Sequence, residues 1–209
     1  MKIISMSVGM LEANCYILYD EKNKDAIVID PGGDGEYILT KLNEEKLNVR
    51  YIVLTHGHFD HIGAVRFLKE KTGGLVAIHK LDADNLTDGY KNLSHFMGIE
   101  SVQTKADVLL EHGSTIEFGN VQCKIIHTPG HSEGSICILV PGAVFTGDTL
   151  FRGSIGRTDL PGGNHRELLN SIATYLLILD SNTVVYPGHG LKTTIGAEKE
   201  SNPFLEGLV

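Results

Sequence analysis

The sequence predicts a layered α/β domain, and three observations carry that prediction. Short β-branched runs alternate with helical stretches along the whole chain, the pattern of sheets covered by helices. The 209 residues are 42% apolar and 21% charged, the composition of an ordinary globular chain. A chain of this size buries roughly 70% of its unfolded surface, so one domain over residues 1–209 is expected. Finally, apolar runs end abruptly in turns that contain Gly or Pro and carry an Asp or His, the place where open α/β sheets hold ligands.

Strands are expected at 26–29, 51–54, 75–78, 121–126, 135–140, 143–145 and 183–186, each a short run of apolar, largely β-branched residues. Helices are expected at 36–47, 62–71 and 165–179. In the last, Leu168, Leu169, Ile172 and Leu176 share one face, and Asn164 with Glu167 has the spacing of a capping pair. Four of the strands run into polar turns: Asp30-Pro31-Gly32-Gly33, Thr55-His56-Gly57-His58, Thr146-Gly147-Asp148 and Pro187-Gly188-His189. The alternation in both halves also fits a duplicated unit.

Charge and composition exclude several classes. Eighteen basic against 26 acidic residues give a net charge of −8, without a Lys/Arg block, so nucleic acid is not an expected partner. No apolar run approaches the ~20 residues of a membrane helix, and Glu12 interrupts the mildly apolar N-terminal stretch, so neither a membrane span nor an export signal is expected. Cys15, Cys123 and Cys137 have no paired spacing that would mark a disulfide framework or a zinc knuckle. A cytoplasmic location fits that usage. The 24 glycines exceed the average share of about 7% and point to many tight turns.

The densest chemical signal is Thr55-His56-Gly57-His58-Phe59-Asp60-His61, directly after a strand. Imidazole and carboxylate are the usual ligands of zinc and other borderline metals, and four such groups on one turn can face two neighbouring ions. Gly57 supplies backbone freedom inside that turn. Later turns add His131 in Thr128-Pro129-Gly130-His131, then Asp148 and His189. His56, His58, Asp60, His61, His131, Asp148 and His189 make seven ligand-type side chains, which suits a two-metal centre.

In these residues, taken in order, the sequence resembles the metallo-β-lactamase superfamily, and within it the glyoxalase II-like (hydroxyacylglutathione hydrolase-like) hydrolases. The resemblance spans most of the chain and includes Asn14-Cys15-Tyr16 as the N-terminal strand. It implies a four-layer αβ/βα sandwich, two mixed β-sheets flanked by helices, with the site at one edge between the sheets. His56, His58 and His131 would hold one ion, Asp60, His61 and His189 a second, and Asp148 would bridge. Asp30 matches an aspartate that orients the ligand turn rather than binding metal. Two divalent ions are implied, zinc first, with Fe or Mn as alternatives, and a hydroxide between them as nucleophile. No dedicated general acid stands out, Asp60 or a metal-bound water being left for that role, so a leaving group that departs as a stable anion is favoured. Hydrolysis of small acyl thioesters follows, with a small-molecule thioester as substrate.

The sequence departs from glyoxalase II in three places. Only about twenty residues follow His189, so the helical C-terminal region of glyoxalase II is absent from the expected domain. Asp159 and Leu191 stand where aromatic residues are usual in the family, while Arg157 remains as a candidate for a substrate carboxylate. The run from Gly153 through Gly163 resembles shorter bacterial glyoxalase II-like hydrolases. Alternative readings are a persulfide dioxygenase-like enzyme with a single iron, a lactone hydrolase, and a metal-stabilised binding protein. Cys15 reads as a core residue, and His79, His95, His112, His127 and His165 fit no ligand pattern.

Overall fold

The computed structural model describes residues 1–100 and 103–208. Its strands are β1 (Lys2–Val8), β2 (Ala13–Tyr19), β3 (Asp25–Ile29), β4 (Asn48–Val53), β5 (Leu75–His79), β6 (Val108–Leu110), β7 (Thr115–Phe118), β8 (Val121–His127), β9 (Ile136–Val140), β10 (Ala143–Gly147), β11 (Leu150–Phe151), β12 (Ser154–Ile155), β13 (Val184–Pro187) and β14 (Thr193–Thr194). Helices are α1 (Gly35–Glu44), α2 (Phe59–Ile62), α3 (Val65–Thr72), α4 (His165–Ser171) and α5 (Ile195–Ser201). One six-stranded sheet runs β1-β2-β3-β4-β5-β6, antiparallel up to β3 and parallel beyond it. The other runs β14-β13-β10-β9-β8-β7, antiparallel except for β10 against β13. Both sheets are mixed, as expected.

Three apolar layers hold the sheets and helices together. Ile38 and Leu42 of α1 and Val65 and Leu68 of α3 pack on Ile17, Val28, Ile52 and Val76. Between the sheets, Leu18, Ile27, Ile29 and Val53 meet Ile116, Phe118, Ile125, Ile138 and Phe145. Outside the second sheet, Val144 and Val185 pack with Leu168, Ile172, Leu176 and Ile195. Because the central strands are covered on both faces, neighbours such as Ile27 and Val28 enter different layers, and the strands read as continuous apolar runs.

The elements differ from expectation in instructive ways. All seven expected strands form, with ends shifted by one to three residues. The helix expected at 62–71 is two helices: Ala64 N–H bonds Pro31 O at 2.8 Å, and α2 begins at Phe59, inside the histidine-rich run itself. Asp60 and His61 therefore sit on a helical turn rather than in a loop. The helix expected at 36–47 ends at Glu44, because Lys46 takes a left-handed conformation at φ 55°. The helix expected at 165–179 is α4 followed by a π-helical turn over Ile172–Leu176. Its start is as read, the Asn164 side chain accepting from Glu167 N–H at 3.1 Å.

Candidate metal centre

Each ligand-type residue lies where a strand stops. The turn after β4 presents His56 and His58, and α2 behind it presents Asp60 and His61. His131 lies in the turn after β8, Asp148 follows β10, and His189 follows β13. One sheet thus contributes four side chains and the other three, at a common edge. Two cross-links hold the turns there. Asn14 of β2 gives its backbone N–H to Gly188 O at 2.7 Å and its side-chain amide to Pro187 O and Gly190 O, both at 2.9 Å. The Tyr16 hydroxyl donates to Pro187 O at 2.6 Å.

The structure brings all seven together. Ligand atoms of His56, His58 and His131 lie within 4.8 Å of one another, and so do those of Asp60, His61 and His189. Asp148 stands between the two sets: its Oδ1 is 3.5 Å from His61 Nε2, and its Oδ2 is 3.6 Å from His131 Nε2 and 3.8 Å from His189 Nε2. Gly188 permits this approach, since a Cβ there would collide with Asp148 Oδ1.

Neighbouring groups aim the rings. Asp30 is also close enough to His56 and His61 to complete a ligand group, but its oxygens are already taken. Oδ1 accepts from Thr55 N–H at 2.7 Å, and Oδ2 accepts from the Thr55 hydroxyl at 2.6 Å and from His61 Nδ1 at 3.0 Å. With its proton given to Asp30, Thr55 Oγ1 accepts from His56 Nδ1 at 3.1 Å. His131 Nδ1 donates to Arg157 O at 2.8 Å. His56 Nε2 and His61 Nε2 are thereby left for the centre, while His131 Nε2 meets His58 Nδ1 at 2.9 Å, and anchoring one nitrogen in this way is the arrangement that orients metal-binding histidines.

Three atoms test whether the residues fit a metal. His56 Nε2, His61 Nε2 and Asp148 Oδ1 are buried without a hydrogen-bond partner. Such orphans are rare in proteins and mark a missing ion or water. The electrostatics agree. Burial and the surrounding imidazoles hold His56 well below its ordinary value and His58 down to about 3, so both are neutral, the form that coordinates. Burial also disfavours a charge on His61, yet Asp148, Asp60 and Asp30 outweigh it and push His61 up to about 10. The converging carboxylates thus favour positive charge at that point. Burial tends to raise Asp60, but His61 and His189 hold its carboxyl below the ordinary range.

One participant has no signal in the sequence. Asp82, buried in the 3₁₀ turn Lys80–Leu86, accepts from Gly57 N–H at 2.9 Å, the Ser132 hydroxyl at 2.8 Å and Gly134 N–H at 2.7 Å. It ties the His56–His58 turn to the His131 turn. Burial pushes its carboxyl up, against the pull of those three donors. Arg157 forks its Nε and Nη2 onto Asp159 Oδ1 and Oδ2, each at 2.8 Å, with the side chain exposed. Cys15 is fully buried with its thiol pushed up by burial, as a core residue should be.

A cavity of about 640 Å³ opens onto His58, Asp60, His131, Asp148 and His189. The sequence matches the metallo-β-lactamase superfamily over residues 8–189. The chain belongs to that superfamily. Its two mixed sheets with flanking helices form the metallo-β-lactamase fold, a fold that binds divalent metals. The crystal structure of BLEG-1, a B3 metallo-β-lactamase, matches with a TM-score of 0.94 and 40% identity over 99% of this chain and 100% of that one. TTHA1623 in a di-iron-bound form matches with a TM-score of 0.86 and 38% identity over 97% and 100%. Among relatives, the probable metallo-hydrolase YqgX of Bacillus subtilis is 41% identical over all of this chain and 99% of its own. The hydroxyacylglutathione hydrolase GloC of Haemophilus influenzae is 37% identical over 98% of each. This superfamily membership, with a di-iron form among the similar structures, leaves the metal to be set by ligand geometry and supply. Among the described residues no helix is long and apolar enough to cross a membrane.

Proposed function

We propose that the protein is a dinuclear metal-dependent hydrolase of small acyl thioesters. The observation that carries this reading is the pair of ligand triads with Asp148 between them and orphaned buried atoms facing the gap. His56, His58 and His131 would hold one ion, Asp60, His61 and His189 the other, and Asp148 would serve both. Two divalent ions, zinc in the first instance and Fe or Mn as alternatives, supply when bound a water that ionises near neutral pH and a Lewis acid for the substrate carbonyl. The 37% identical relative GloC, a hydroxyacylglutathione hydrolase, supports a thioester as the substrate class.

The protein's own side chains argue for the same leaving group. Among the described residues lining the cavity there is no Lys, Tyr or Cys to deliver a proton. Asp60, held low by His61 and His189, carries none at neutral pH. A leaving group must then depart as an anion, which a thiol with a pKa of about 8.5 does and an amide nitrogen does not. Arg157 would bind a substrate carboxylate only after exchanging its fork with Asp159.

Elemental analysis of purified protein, followed by a panel of thioesters, lactones, amides, β-lactams and glutathione persulfide with oxygen uptake monitored, tests the proposal. Two ions per chain and thioester turnover far above amide turnover are expected. One ion per chain with oxygen-dependent sulfite formation would replace the hydrolase by the persulfide dioxygenase-like reading.

A further inference from the structure

The cavity over the ligand cluster is walled by apolar side chains on two separate segments. Leu93, Phe96 and Met97 come from the stretch between β5 and β6, and Phe151, Ile155 and Leu160 come from the β11–β12 hairpin and the loop behind it. Phe96 is 67% exposed and Met97 49%, an unusual allowance of large apolar surface beside a cluster of charged ligands. Their position is built. Phe59 N–H of α2 donates to Asn92 O at 2.9 Å, Asn92 Oδ1 accepts from Ser94 N–H at 2.9 Å, and Asn92 Nδ2 donates to Asn85 O at 2.7 Å. Leu93 is held in a left-handed conformation at φ 71°, a strained state for a branched residue. The wall is thereby tied to the helix that carries Asp60 and His61.

Charge points the same way. Arg157 is the one Lys or Arg among the described residues lining the cavity, and its guanidinium is forked on Asp159. Outside the ligand cluster, the two carboxylates of glutathione would have only this already forked guanidinium to meet among the described lining residues, so much of their desolvation would go uncompensated. An uncharged chain gains by covering Phe96 and Met97.

We propose that the cavity takes the thioester of an apolar acyl group on an uncharged thiol carrier, in preference to a hydroxyacyl group on a charged peptide thiol. The thioester chemistry rests on the hydrolase function proposed above, whereas the apolar recognition rests on the cavity walls. The reaction balances as hydrolysis: water adds to the carbonyl carbon, the C–S bond breaks, and carboxylic acid and thiol result.

The test uses purified metal-replete protein and two acyl series. Acetyl, butanoyl, hexanoyl and lactoyl thioesters are prepared on N-acetylcysteamine and on glutathione, together with alkyl ketones in which CH₂ replaces sulfur. From acetyl to hexanoyl, kcat/KM should rise about three- to fourfold per methylene. At equal acyl group the N-acetylcysteamine ester should match or exceed the glutathione ester. Binding of the inert ketones, followed calorimetrically, should show the same chain-length slope. In the double variant Phe96→Ser, Met97→Ser that slope should fall below about twofold per methylene, and because both side chains are exposed the fold should survive the change. Chain-length independence in both turnover and binding, or glutathione esters preferred at equal acyl group, would overturn the proposal. If no thioester turns over while ketone binding keeps its slope, the hydrolase reading fails and the apolar recognition stands.

Discussion

Two buried or half-buried carboxylates act at this centre in different ways. Asp148 faces His61, His131 and His189, while Asp82 faces only the backbone and hydroxyl groups that hold two ligand turns in place. Replacing Asp148 by Asn leaves a neutral amide where one negative charge would offset two dications, so both ions should be lost together, with affinity falling more than ~100-fold. Metal content after dialysis measures this, and a variant retaining two ions would exclude Asp148 as a shared ligand. Asp82→Asn should act more mildly. It loses one of its acceptor oxygens and the charge that strengthens all three bonds, which should reduce metal affinity about 10- to 100-fold, as changes to ligand-supporting groups do. Metal titration with a chromophoric chelator would show it, and unchanged affinity would mean that the turns hold themselves. The seven ligand-type residues were legible because strand ends, Gly and Pro announce them locally. Asp82 was not, because its partners lie 25, 50 and 52 positions away.

Among the elements, α4 and the π-helical turn after it were readable as one helical stretch because Leu168, Ile172 and Leu176 recur at four-residue spacing and all three are buried. Its cap gives a test separable from the metal centre. Asn164→Ala removes the acceptor for Glu167 N–H and should cost about 1 kcal/mol, lowering Tm by about 2–4 °C with metal content unchanged. A thermal melt beside elemental analysis checks both. The strands β1 and β2 were harder to read. β1 is an edge strand whose Lys2, Ser5 and Ser7 are exposed, so no apolar run marks it, and only pairing with β2 over seven registered positions makes it a strand. The interruption between α2 and α3 was equally hidden. Gly63 lies so close to Gly32 O that a Cβ would collide there, a contact between segments about thirty residues apart.

At the scale of the molecule, the two sheets meet at the site edge through a pair of rings outside the ligand set. His79 ends β5 and His127 ends β8, and their rings stack at 4.0 Å with 12° between planes. Burial first, then the neighbouring His127, holds His79 down to about 4 from its ordinary 6.5. The unfolded chain takes up this proton as pH falls through about 6.5, whereas the folded chain takes it up only near 4. Between those values the unfolded state binds more protons, so the contribution to stability is complete above 6.5 and is lost on acidification toward 4. Urea denaturation across that range should show wild type losing more stability than His79→Gln. Parallel curves would mean that His79 titrates normally.

What the sequence determined by itself was what local order encodes: the alternation of apolar runs and helical stretches, the turn chemistry at strand ends, and the identity and order of the ligand-type residues. Strand period and Gly/Pro placement are properties of a few neighbouring residues, so they survive without the fold. Tertiary structure alone decided what depends on distant segments meeting. It put Asp148 between the two triads, closed Asp30 onto Thr55 and His61, and brought Asp82 under two turns. It also set the character of the cavity, since Phe96 and Phe151 are separated by more than fifty residues and become walls of one space only when the two sheets pack. Packing free energy is summed over contacts that no short window of sequence contains, which is why the ligand-type residues were legible and the recognition surface was not.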